Sequence, residues 1–128
     1  MAQARTPLTK DQIEAFTAGD CWRLAGELMR LGVGEVVLLS NENSDAPLEF
    51  FPWEHVVVRL PSGLYLDATG VRTMAELEGD WAWDSEPMTT RTVTTEEDFK
   101  RATCDQIRAH RHNARSAALK LQKLALAA

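Results

Sequence analysis

Much that stabilises or tethers other small proteins is scarce in this chain. It has only two cysteines, Cys21 and Cys104, 83 positions apart, which gives no disulfide framework. No apolar run approaches the roughly eighteen residues of a membrane helix. The segment Met1-Ala2-Gln3-Ala4-Arg5-Thr6-Pro7 lacks the apolar stretch of a secretory signal. There is no phosphate-binding glycine loop, nucleic-acid motif or internal repeat. Together these absences lead to the expectation of a cytoplasmic protein with reduced thiols, no membrane association and no cofactor.

What is present fits one domain over 1–128. A chain of 128 residues, 45% hydrophobic with four tryptophans, can bury a core without metals or disulfides. The net charge of −5 is unevenly distributed. Residues 1–99 carry seven basic and eighteen acidic residues, and residues 100–128 carry seven basic residues and Asp105 alone. Segregation of this kind suits an acidic partner, or a solvated helix packed on an acidic body. Nucleic acid is disfavoured, because the basic residues are spread out with few aromatics among them.

The expected architecture is α+β, with a cysteine-bearing helix on a small antiparallel sheet and a long C-terminal helix. Thr9 caps a helix over 10–17, and Asp20 caps a second over 21–31. In the second, Cys21, Leu24, Ala25, Leu28 and Leu31 keep the helical period. Residues 35–40 read as a buried strand, and 41–52 as a loop. A hairpin follows, with runs 55–60 and 64–67 around Pro61-Ser62-Gly63. Thr73 with Glu76 marks a capping box for a helix over 74–80. Residues 88–95 form a further strand, completing a core over 9–95. The remainder, about 96–126, has no glycine or proline and reads as one basic helix with a packing stripe of Phe99, Ala102, Ile107, Ala114, Leu121 and Leu124.

Three residues stand where thiol chemistry would need them. Cys21 opens a helix, where unpaired N–H groups and the helix dipole favour a thiolate. His55 opens a strand, and Asp67 closes the next. A thiol needs a base, and the base needs an orienting carboxylate. With a three-residue turn, His55 and Asp67 share a face as diagonal neighbours. A four-residue turn would put them on opposite faces. Each residue also has a structural reading: a buried hydrophobe, a polar strand end, and an aspartate bonding the turn Ala68-Thr69-Gly70. Cys104, His110 and His112 are a candidate metal cluster, but on one helix 110 and 112 point apart, so no metal site is expected.

The strings Gly19-Asp20-Cys21-Trp22, His55-Val56-Val57-Val58 and Tyr65-Leu66-Asp67-Ala68 resemble the catalytic core of the papain-like and transglutaminase-like superfamily. The resemblance spans about residues 19–70. It implies Cys21 as nucleophile, His55 as base and Asp67 as orienting acid. The papain-like pattern places an oxyanion glutamine shortly before the cysteine. Here the nearest is Gln12, so Gln12, Trp22 and Trp53 are the candidate substrate or oxyanion groups.

Two functions compete. One is a cysteine-dependent hydrolase or acyl transferase (peptidase, amidase or deamidase-like) acting on a protein or peptide. The other is a non-catalytic protein-binding module, an inhibitor or adaptor, using the acidic body or the basic C-terminal helix. That helix is also the expected route to a homodimer.

Overall fold

The computed structural model describes residues 6–84, 86–103 and 112–128. The protein is α+β. Helices α1 (Lys10–Thr17) and α2 (Cys21–Arg30) precede strand β1 (Glu35–Ser40). A 3-10 turn at Leu48–Phe50 leads to β2 (His55–Arg59), β3 (Tyr65–Asp67) and β4 (Gly70–Arg72). Helix α3 (Met74–Trp81), strand β5 (Thr89–Val93) and helices α4 (Glu96–Thr103) and α5 (Ala114–Leu126) complete the chain.

All neighbouring strands are antiparallel, in the order β4-β3-β2-β1-β5. The β2–β3 ladder pairs Val58 with Leu66 and Arg59 with Tyr65. That register belongs to the three-residue Pro61-Ser62-Gly63 turn, with Leu60 N–H donating to Leu64 O at 2.8 Å. Gly63 takes φ +91°, a conformation that side chains with a Cβ disfavour. Strand β4 was not expected from the sequence. It is three residues long, too short for alternation to signal it.

The alternation of the strands splits the interior in two. Val36, Leu38, Val56, Val58 and Leu66 join Phe16, Leu24, Leu28, Phe99 and Leu121 in the main core. On the other face, Val37, Leu39 and Val57 meet Leu77, Met88 and Trp81. Helix α2 buries Cys21, Leu24, Ala25 and Leu28. Each buried leucine contributes about 1.5–3 kcal/mol relative to exposure. Among the described residues no helix is long and apolar enough to cross a membrane.

Two helix expectations need correction. A single helix over about 96–126 is not formed: Asn113 is non-helical and α5 starts at Ala114. Asn113 has extended backbone, and its side chain accepts the Ser116 N–H at 2.9 Å. An asparagine that captures a backbone donor in this way starts a helix rather than continuing one. Asp20 is at the N-cap of α2 but makes no capping bond. Its carboxylate lies 3.6 Å from Arg23 instead. The caps read at Thr9 and Thr73 are both present as full capping boxes.

Candidate active site

Cys21 is the first residue of α2, and His55 is the first of β2. Asp67 is the last of β3. The turn length sets the parity that aims His55 and Asp67 at one face of the sheet. His55 Nε2 lies 3.0 Å from Asp67 Oδ2. All three residues are closed off from solvent, with Cys21 3%, His55 0% and Asp67 4% exposed.

Cys21 belongs to the main core, whereas the His55 ring lies against Trp81, in the second layer. Thiol and imidazole meet at the beginning of β2, enclosed between the two layers. The thiol is near enough to bias the ring toward its protonated form. His55 Nδ1 is buried and makes no aligned hydrogen bond. The Cys21 contact is therefore one of proximity rather than a formed hydrogen bond.

Burial works against a charged imidazole. The hydrogen bond to Asp67, and then the Cys21 thiol, outweigh it and raise the His55 pKa from 6.5 to about 9. Burial also opposes ionisation of Asp67. The His55 bond and the bonds from Thr69 overcome that penalty and hold the carboxyl below its ordinary value. Asp67 Oδ1 accepts the Thr69 N–H at 2.8 Å and the Thr69 hydroxyl at 2.5 Å. The turn-bonding aspartate and the histidine-orienting aspartate are thus one residue using its two oxygens separately.

Trp81, which the sequence offers with Trp83 only as a lid on the core edge, is a site residue. Its ring stacks on His55 with centroids 4.0 Å apart and planes 11° apart. Asn41 fixes the end of α3 that carries it: Nδ2 donates to Trp81 O at 3.0 Å, and Oδ1 accepts the Trp83 N–H at 2.8 Å. No pattern in the sequence links a tryptophan at 81 to a histidine at 55. Trp83, which it resembles in sequence, is 72% exposed.

The three candidate oxyanion or substrate groups have other partners. Gln12 Oε1 accepts the Thr9 N–H at 2.9 Å in the capping box of α1. Trp53 Nε1 donates to Ala102 O at 3.0 Å, tying the segment before β2 to α4. Trp22 packs against Phe99, with centroids 6.4 Å apart. It lines a cavity of about 390 Å³ along α2 with Arg23, Glu27, Arg30 and Arg115, and Cys21 is not part of that lining.

Among the described residues no group of three His, Cys, Asp or Glu could hold a metal ion. Cys104 and His110 lie outside the described residues, and the His112 ring packs edge-on against Phe16. No protein-family model, curated protein or solved structure matches this chain.

Proposed function

We propose that the protein is a cysteine-dependent hydrolase or acyl transferase of the papain-like and transglutaminase-like kind, acting on a carbonyl of a peptide or protein. The observation that carries this reading is the His55 Nε2–Asp67 Oδ2 contact of 3.0 Å beside a cysteine that opens a helix. A histidine held protonated near neutral pH suits a thiolate–imidazolium pair. Cys21 Sγ attacks the carbonyl carbon, and the C=O electrons move onto oxygen. In this reading a backbone N–H of the first turn of α2 donates to that oxyanion. Collapse expels the leaving group, which takes its proton from His55, and an acyl-thioester remains. Water or an amine then attacks, gives its proton to His55, and the Cys21 sulfur leaves. Asp67 holds the ring throughout.

The near-complete burial of Cys21 favours a second reading, a binding module with no turnover. In that reading α5 is the contact surface, with Leu126 84% and Leu119 46% exposed beside Lys120 and Lys123. Iodoacetamide alkylation of Cys21 against pH, followed by peptide mass spectrometry, separates the two. Cys104 serves as internal control. Fast labelling near neutral pH that collapses in His55→Ala is the expected result. Slow labelling indifferent to His55 would leave the binding module.

A further inference from the structure

Asp67 is held from behind by a chain of donors that the thiol chemistry does not itself explain. Thr69 N–H is already enough to close the Asp67 turn. Yet the Thr69 hydroxyl adds a second bond to the same oxygen, at 2.5 Å. Arg72 Nη1 then donates to Thr69 Oγ1 at 2.7 Å. A guanidinium can only donate, so it takes up a lone pair of that hydroxyl. The hydroxyl proton is left to point at Asp67. Oδ1 is thereby saturated by two Thr69 donors, and Oδ2 is left for His55.

Arg72 also reaches the other wall of the site. Its Nη2 donates to Asp80 Oδ2 at 2.7 Å and to Glu76 O at 3.2 Å. Both acceptors belong to α3, whose last residue is Trp81. One side chain, 12% exposed, therefore braces the carboxylate that bonds the imidazole and the helix whose tryptophan covers it.

We propose that Thr69 and Arg72 are positioning residues for the thiol reaction: Arg72 orients the Thr69 hydroxyl, and that hydroxyl fixes the Asp67 carboxylate for His55. The proposal rests on the enzyme reading above for its purpose, but its geometry can be tested separately. A threonine that merely shaped the turn would act through its backbone N–H, which Thr69→Val retains.

The test is the protonation midpoint of Asp67, followed by carboxyl ¹³C NMR in wild type, Thr69→Val, Thr69→Ser and Arg72→Gln. Loss of the hydroxyl is expected to raise the midpoint by about one unit or more. Thr69→Ser is expected to restore it, and Arg72→Gln to raise it by less. Where acid unfolds the chain first, the acid-unfolding midpoint moves in the same direction. If Thr69→Val does not fold, Thr69→Ala removes the same hydroxyl. The rate of Cys21 alkylation at pH 7 is expected to fall when the carboxylate is no longer held in place and to recover in Thr69→Ser. An Asp67 midpoint unmoved by loss of the hydroxyl overturns the relay, even with Cys21 activated. A wild-type Cys21 indifferent to His55 overturns the enzyme reading alone, because the Asp67 shift can still be read.

Discussion

Trp81 lies flat on His55, with ring centroids 4.0 Å apart and the planes only 11° from parallel. An aromatic over a charged imidazole combines packing with attraction between the cation and the ring face. Because Trp81 ends α3 and His55 begins β2, the stack also fastens the second layer of the core to the site. Trp81 is partly buried, so Trp81→Ala should lower stability by about 1.5–3 kcal/mol, and Trp81→Phe should recover much of that. Urea unfolding checks both; equal losses for the two variants would mean the stack is incidental.

The His55–Asp67 pair makes stability depend on pH. The folded pKa of His55 is raised from 6.5 to about 9. Its contribution is therefore complete below about pH 6.5 and is lost as pH rises through about 9. The folded pKa of Asp67 is lowered, so its contribution is present above its ordinary value of 3.8 and is lost as pH falls through the lower folded value. The melting temperature of wild type should decline between pH 6.5 and 9 relative to His55→Gln. A constant difference between the two across that range would contradict the pair.

Asp67→Asn keeps the shape of the side chain and removes its charge. On the enzyme reading, the imidazolium loses its counter-ion, and the imidazole can present the wrong tautomer to Cys21. Turnover should fall by up to about 10⁴-fold, as expected when an orienting aspartate becomes an asparagine. Circular dichroism should show the variant folded. Undiminished Cys21 alkylation in folded Asp67→Asn would remove Asp67 from the mechanism.

Two helical glycines should respond in opposite ways to alanine. A Cβ at Gly26 would lie 2.6 Å and 2.8 Å from the Phe99 ring, and Phe99 is itself buried. Overpacking of that kind costs about 1–3 kcal/mol and outweighs the gain in helix propensity. A Cβ at Gly79 meets nothing within 4 Å, so Gly79→Ala should gain about 0.5–1 kcal/mol. Chemical denaturation of both variants gives the comparison, and a stabilised Gly26→Ala would contradict the packing of α2 on α4.

Local signals in the sequence determined much of this protein. The caps at Thr9 and Thr73, the apolar period of α2 and the Pro61-Ser62-Gly63 turn are short-range, and each acts over a few residues. The turn carried further than the rest, because its length fixes the parity that puts His55 and Asp67 on one face. Other features were decided only by tertiary structure. Asn113 interrupts the C-terminal run by capturing a backbone donor, although nothing in its neighbours' helix propensity forbids continuation. Trp53 and Trp81 are similar amphipathic side chains, yet one hydrogen-bonds α4 and the other covers the imidazole. The meeting of Cys21 with His55 depends on how two layers close around one strand end. Periodicity says which face a residue occupies, but the neighbour across a layer is chosen by packing between segments distant in sequence.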